Sequence, residues 1–392
     1  MNPLPCRVVL VTHYFSTHRG GVENVAGQLA ERLVEDGSFQ VTWFASDCDL
    51  PPATRVGLSM APMRSWNGIE RLGLPWPIWG VGSLRRLKCA IAAADIVHLH
   101  DFIYFGNLAA FLFAKWRKTP ILVTQHIGDI PYRSRLLSGI LKLINRSIGR
   151  FVLSKADQVV FISDVVRKQF LRSVSFRTEP LFWPNGVDTH VFFPVDDASR
   201  NALRETLPGS PKTTVCLFVG RFVEKKGLGI LRQLAREFQD VEWWFAGWGA
   251  TDTTLDPATW RLPNVKVFAD RSGASLAELY RAADLLVLPS KGEGFPLVVQ
   301  ESMACGTPAM VSSATASGIP DARRFLLGGI REDVADAAVA WDQALRDALK
   351  SGNALSLREA VAEYARSEWS WEIGADRYRA MYRELSKGCT NL

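Results

Sequence analysis

Two short stretches carry charged side chains at spacings that suit a phosphorylated ligand. In PSKGEGFPLVVQESMACGTP, from Pro289 to Pro308, Glu293 and Glu301 form an E-x7-E pair. The preceding run Asp284-Leu-Leu-Val-Leu288 has the length and composition of a buried parallel strand. Gly292 and Gly294 interrupt the pattern, and Pro296 stands where it can open a helix. The order is therefore strand, glycine loop, helix N-terminus. Backbone N–H groups and the helix dipole at such a terminus attract phosphate. A carboxylate repels the phosphate itself but suits hydroxyl groups on either side of it, as in a nucleotide sugar. The second stretch is Gly220-Arg-Phe-Val-Glu-Lys-Lys-Gly227, after another apolar run. Arg221 and Lys226 can converge beyond the carboxyl end of that strand, where open α/β sheets bind ligands, and clamp a diphosphate. Alone, such a pair is more often simply solvated. Beside Glu293 and Glu301 the ligand reading prevails.

The N-terminal part repeats the design more faintly. Thr12-His-Tyr-Phe-Ser-Thr-His-Arg-Gly-Gly-Val-Glu23 reads strand, loop, glycine pair, helix, with Gly20 and Gly21 allowing close approach to a helix N-terminus. It is not a complete G-x-G-x-x-G fingerprint. His98, His100 and His126 fall at or near strand ends. A hydrogen-bonded core histidine is the ordinary occupant of such a place, and only His126, in Thr124-Gln-His-Ile-Gly-Asp129, stands out as a candidate. Asp47-Cys-Asp49 has a D-x-D form without other metal ligands nearby and reads as coincidence, so no metal is expected.

The elements that must position these residues alternate between strand and helix twice. Strands are expected at Arg7–Thr12, Gln40–Ala45, Asp95–His100, Ile121–Gln125 and Gln158–Ser163. They are expected again at Thr214–Val219, Glu242–Ala246, Val265–Ala269, Asp284–Leu288 and Ala309–Ser312. Amphipathic helices lie between them, and two more follow near 357–367 and 371–385. Turn-rich residues from Pro180 to Asp197 read as a linker, and 47–77 as either a long irregular loop or an edge region. The fold class is α/β: two Rossmann-like domains with parallel sheets, facing across a cleft. The domains are set at 1–190 and 191–370, with the helix near 371–385 free to pack back on the first.

Composition narrows the setting. The 392 residues exceed one ordinary core. Six cysteines show no C-x-x-C or Cys/His ligand spacing, which argues against a zinc site or disulfide scaffold. No signal peptide and no membrane-spanning run are visible, so a cytoplasmic location is expected. Of the net charge of +6, the first 195 residues carry 22 Lys+Arg against 14 Asp+Glu. The stretch Arg133–Arg172 is richest in cations, and a packed helix with a solvated face explains it as well as an anionic membrane surface does. No nucleic-acid motif is present.

GRFVEKKG at 220–227, the E-x7-E block, PNGVD at 184–188 and GGVE at 20–23 together resemble retaining GT-B glycosyltransferases of family 4. AGWG at 246–249 and WSWEIGADRYRAMY at 369–382 extend the resemblance nearly end to end. It implies a metal-independent hexosyltransferase with a UDP- or GDP-sugar donor and no cofactor. It also implies GT-B architecture, with the acceptor domain first and the nucleotide-sugar domain second. By that resemblance Arg221 and Lys226 bind the donor diphosphate, Glu301 the ribose hydroxyls, and Glu293 faces the transferred sugar. Gly294, Phe295, Leu297 and Val298 line the sugar–phosphate site, Gly20 and Gly21 approach the reaction centre, and His126 reaches donor sugar or acceptor. Pro296, where relatives commonly carry glycine, and Ser317–Gly329 depart from the pattern. The basic first domain points to a lipid-linked or membrane-associated glycan acceptor, as in polysaccharide or lipopolysaccharide synthesis, with the chain peripheral on the inner membrane face. A sugar-nucleotide epimerase or hydrolase, or a non-catalytic sugar-nucleotide-binding subunit, remains open.

Overall fold

The computed structural model describes residues 4–18, 20–68, 76–128, 139, 143–209, 213–249, 252–291, 296–330, 337–350 and 356–387. The chain divides into two compact units, Met1–Gly186 with Trp371–Leu392, and Val187–Ser370. Each is built on one parallel sheet. Across the first sheet the strands run Leu58–Met63, Phe39–Ser46, Cys6–Val11, Ile96–His100, Ile121–Gln125, Gln158–Phe161 and Leu181–Phe182. Across the second they run Val265–Phe268, Val241–Ala246, Thr214–Val219, Leu285–Leu288, Ala309–Ser312 and Leu326–Ile330. In both, the unit's first strand lies between its second and its fourth, so the winding reverses there. That reversal leaves a crevice at the carboxyl ends of the first and fourth strands.

Register is pinned by a repeated sequence device. Ala94-Asp95, Ala156-Asp157 and Ala283-Asp284 each precede a strand. Each aspartate accepts an amide at the start of the neighbouring strand, from its first or second residue: Arg7 N to Asp95 at 2.8 Å, Ile121 N to Asp157 at 2.9 Å, Val215 N to Asp284 at 2.8 Å. An amide at a sheet end would otherwise lack a protein partner. Asp284 also receives Arg200 and Arg204 from the helix Asp197–Thr206, both nearly buried.

Strand interiors are apolar because both faces are covered. Trp43 and Phe111 are fully buried in the first unit, Trp243 and Trp341 in the second. The helix Trp371–Lys387 belongs to the first unit: Tyr378 Oη lies 2.9 Å from Thr124 Oγ1, and Tyr382 Oη 2.6 Å from His98 Nδ1. Among the described residues no helix is long and apolar enough to cross a membrane.

Several elements differ from the sequence reading. Leu58–Met63 makes part of 47–77 an edge strand, the second of the two readings, and Leu181–Phe182 and Leu326–Ile330 add strands where none was expected. All three are edge strands, which tolerate Pro62 and Gly328. The helix Asp197–Thr206 falls partly in the expected linker, capped by Asp196, which accepts from Ser199 N at 2.7 Å. Its buried positions are arginines, so it shows no apolar stripe.

Candidate functional site

The second unit's crevice lies where Thr214–Val219 runs beside Leu285–Leu288. Gly220 and Arg221 leave the first of these strands, and Pro289 to Lys291 leave the other. The two loops touch: Lys291 N donates to Lys225 O at 2.8 Å. Gly227 is required there, since φ is +76° and a Cβ would fall 2.4 Å from Pro289 O. Lys226 folds back over the strand end, its Nζ 3.7 Å from where a Gly220 Cβ would stand. Arg221 is the exposed neighbour of Gly220, so both predicted cations occupy one strand end. Ser290, fully buried at the same end, has an Oγ without a partner among the described residues.

Glu293, Gly294 and Phe295 lie outside the described residues. Pro296 is the N-cap, with extended backbone, and the helix is Leu297–Ala304, so proline precedes the first turn rather than opening it. The amides of Leu297 and Val298 belong to that first turn, where N–H groups have no intrahelical acceptor. Glu301 follows one turn later. Its Oε2 accepts from Tyr280 Oη at 2.9 Å. Burial pushes the Glu301 carboxyl up to about 7, against the lowering effect of that hydrogen bond. Burial and the neighbouring Glu301 drive the Tyr280 phenol well above its usual range.

The first unit's crevice lies between Cys6–Val11 and Ile96–His100, with Ile121–Gln125 next. Thr12-His13 leaves the first strand, Asp101 the second, and His126 the third. Gly20 is the N-cap of the helix Gly21–Leu33, and Glu23 stands in its first turn. His13 Nε2 lies 2.9 Å from Glu23 Oε1. Asp101, at φ +64°, accepts the amides of His126 and Ile127 at 2.8 and 3.1 Å and so fixes the loop that carries His126. Burial raises the Asp101 carboxyl to about 7. His126 Nε2 lies 2.9 Å from His100 Nδ1, and burial lowers its imidazole to about 3. His126 is thus a neutral hydrogen-bonding group at physiological pH. His98, held by Tyr382 and by Thr124 at 2.8 Å, is a core residue as expected.

The Asp47-Cys-Asp49 carboxylates have structural partners: Ser65 N at 3.0 Å for Asp47 and His18 at 2.7 Å for Asp49. No group of three or more metal-capable side chains occurs among the described residues. Sequence reasoning singled out His126 but missed His13, Glu23, Asp101 and Ser290. The available signal was position, since all but Glu23 directly follow or nearly follow an apolar strand, and Glu23 closes the Gly-Gly segment.

Comparison with known proteins places these features in context. Residues 19–191 match the family model Glycosyltransferase Family 4, and residues 213–349 match Glycosyl transferases group 1. A D-inositol 3-phosphate glycosyltransferase of Segniliparus rotundus is 34% identical over 393 residues, covering 94% of this chain and 84% of that protein. The fold is similar to that of a sucrose-phosphate synthase from Thermosynechococcus elongatus, at TM-score 0.76 and 20% identity over 98% of this chain and 100% of that one. Anabaena HepE, solved in complex with UDP-glucose, gives TM-score 0.69 at 15% identity, over 98% of this chain and 100% of that one.

Proposed function

Because this chain belongs to glycosyltransferase family 4 and has the GT-B fold, we propose that it moves a hexose from a UDP- or GDP-sugar to an acceptor hydroxyl, with retention at the anomeric carbon. Family membership makes it an enzyme, a glycosyltransferase. The observation that supports the donor assignment is Lys226 folding back over the strand end that Arg221 leaves, beside the loop that leads toward the Glu301 helix. HepE, of the same fold, is described with UDP-glucose bound.

The chemistry follows from charge. Breaking the anomeric C–O bond leaves positive character on the sugar and negative charge on the departing diphosphate. A bidentate guanidinium from Arg221, the Lys226 ammonium and the first-turn amides of Leu297 and Val298 stabilise that leaving group. In this reading two cations supply the compensation that a divalent metal supplies elsewhere. Glu301 accepts from the ribose hydroxyls, and Glu293 faces the transferred sugar. The acceptor oxygen bonds to the anomeric carbon on the face the diphosphate leaves, and its proton passes to a leaving phosphate oxygen.

The acceptor is proposed to be a lipid-linked or membrane-associated glycan. Cations beside exposed aromatic rings in the first unit support this. Lys88 sits 4.5 Å from the ring of exposed Trp116, Lys155 sits 5.4 Å from the ring of exposed Phe151, and Phe111 packs edge-on to Phe151 at 5.7 Å. Exposed Leu112 and Leu143 add apolar contact. Cations flanking exposed aromatic and aliphatic groups suit an anionic bilayer surface. Of the basic stretch read from sequence, Arg133, Arg135 and Lys142 lie outside the described residues, while Arg167 and Lys168 pair with Asp164 at 2.9 and 2.6 Å.

Thermal-shift titration with UDP, GDP, ADP and their sugars tests the donor assignment, because a ligand at about 100 times its Kd stabilises by about 2.7 kcal/mol. A melting temperature unmoved by all of them overturns it. Sedimentation with anionic and neutral vesicles tests the surface, and equal binding to both at low salt removes the membrane component.

A further inference from the structure

Away from both crevices, the helix Val81–Ala93 does not close fully over the first unit's sheet. Its buried side chains, Ser83, Leu87 and Ile91, lie on one face of the helix. The helix packs against the helix Phe105–Arg117 and the strand Cys6–Val11, which is third from the sheet edge. Between it and the two outer strands, Phe39–Ser46 and Leu58–Met63, a cavity of about 470 Å³ remains. Faces of parallel sheets are ordinarily covered by packed helices, so an opening of this kind asks for an occupant. Its volume is that of a small-molecule site and far exceeds the room a few waters need.

The two sides of the cavity differ in chemistry. Its strand side is formed by Thr42, Phe44, Met60 and Ala61, with Phe44 and Ala61 side by side as register partners. Its helix side carries Arg85, Arg86 and Cys89. At 3.6 residues per turn, Lys88, Arg85, Cys89 and Arg86 follow one another around the side of the helix opposite Leu87. Arg86 is drawn to the cavity edge, where its Nη1 donates to Pro62 O of the outermost strand at 3.2 Å. Arg85 has no hydrogen bond or ion pair among the described residues, and no carboxylate lines the cavity. Exposed arginines are commonly just solvated. These two instead stand beside an apolar wall with no acid to neutralise them. An inorganic anion would leave that wall wet, and a neutral hydrocarbon would leave the guanidinium groups without an acceptor.

We infer that this cavity binds an amphiphilic anion, its phosphate or carboxylate head held by Arg85 and Arg86 and its apolar chain laid against Phe44, Met60 and Ala61. Guanidinium groups accept such heads through paired N–H bonds. The site lies outside both crevices and stands independently of the glycosyltransfer reading. A free alkyl phosphate or carboxylate and an anionic bilayer lipid share this chemistry. Lys88, 4.5 Å from the Trp116 ring, continues the cations of the same helix toward the surface proposed for the bilayer.

The exposed thiol of Cys89 reports occupancy, and exposed Cys48, which does not line the cavity, is an internal control. Alkylation of both by N-ethylmaleimide on the full chain is followed by peptide mass spectrometry. Octyl phosphate, kept below its micelle concentration, should shield Cys89 and leave the rate at Cys48 unchanged. Buried Cys216 should stay unreactive, which separates binding from unfolding by the amphiphile. Octanol and inorganic phosphate each supply half of the chemistry and should shield Cys89 only at concentrations about tenfold higher or more. The double variant Arg85→Ala/Arg86→Ala, compared with its own unliganded rate, should also need about tenfold more octyl phosphate. If it does not fold, Arg85→Ala, at an exposed position without partners among the described residues, takes its place. Shielding by phosphatidic acid vesicles but not by phosphatidylcholine vesicles identifies a membrane lipid as the source, and shielding by octyl phosphate alone identifies a free amphiphile. The proposal is overturned if octyl phosphate leaves Cys89 as reactive as before, if octanol or inorganic phosphate shields it equally well, or if the arginine variants are shielded like the wild type.

Discussion

Glu301→Gln separates two roles of one carboxyl group. In the folded chain burial places this carboxyl at about 7, against an ordinary 4.5. Between those values the folded chain keeps a proton that the unfolded chain has released, so stability falls as pH rises through that window. Above it, holding the group ionised costs about 3 kcal/mol. Glutamine keeps the shape and an oxygen for Tyr280 Oη, now 2.9 Å from Glu301, but carries no charge to desolvate. The variant should therefore gain about 3 kcal/mol on the wild type between pH 5 and pH 8. Urea unfolding followed by tryptophan fluorescence reads this, because Trp243 and Trp341 are buried in the second unit. Nucleotide binding should move the other way. Loss of a charged acceptor for the ribose hydroxyls costs about 1.5–3 kcal/mol, or roughly tenfold to a hundredfold in affinity at pH 8. Wild-type affinity should itself rise with pH through about 7 as Glu301 ionises. Parallel stability profiles for the two proteins would show that Glu301 is not held protonated, and the argument would fail.

Arg221→Ala and Lys226→Ala should each lower turnover about 10²–10³-fold with little change in melting temperature, and wild-type rates on the true substrates would refute their leaving-group role. Gly227→Ala meets a φ of +76° and Pro289 O at 2.4 Å, so it should destabilise by more than about 2 kcal/mol and weaken UDP binding by parting the two loops. Calorimetry of the variant showing an unchanged transition would contradict the contact. Asp284→Ala strands Arg200 and Arg204 in the interior and should cost about 3–5 kcal/mol, a loss that denaturant titration measures directly.

What the sequence disclosed follows the physics of parallel sheets. Central strands such as Thr214–Val219 and Ile121–Gln125 are buried on both faces and read as apolar runs. Edge strands carry weaker patterns: Leu-Ser-Met-Ala-Pro-Met at 58–63 and Leu-Leu-Gly-Gly-Ile at 326–330 become strands through their neighbours, not through local preference. The helix Asp197–Thr206 hides because its core side chains are Arg200 and Arg204, neutralised by a distant Asp284. At the candidate site, Arg221 and Lys226 stand out in the sequence because one short loop holds both. His13 and Glu23 pair across one short segment whose sequence gives no sign of the contact, and Asp101 reaches the His126 loop only after distant strands become neighbours.

The two crevices are equivalent in topology and differ in the side chains their glycine loops supply, so topology cannot decide what either binds. Each places a glycine-containing loop after the first strand and a helix beyond it. In the second unit that loop supplies Lys226 against the strand end, with Arg221 beside it. In the first, the corresponding helix folds its own Glu23 carboxylate onto its N-terminus and locks it with His13. In the proposed reaction the charged leaving group belongs with Arg221 and Lys226 of the second unit, where Lys226 reaches back to the strand end. Binding of inorganic pyrophosphate that survives the loss of both cations would overturn that assignment.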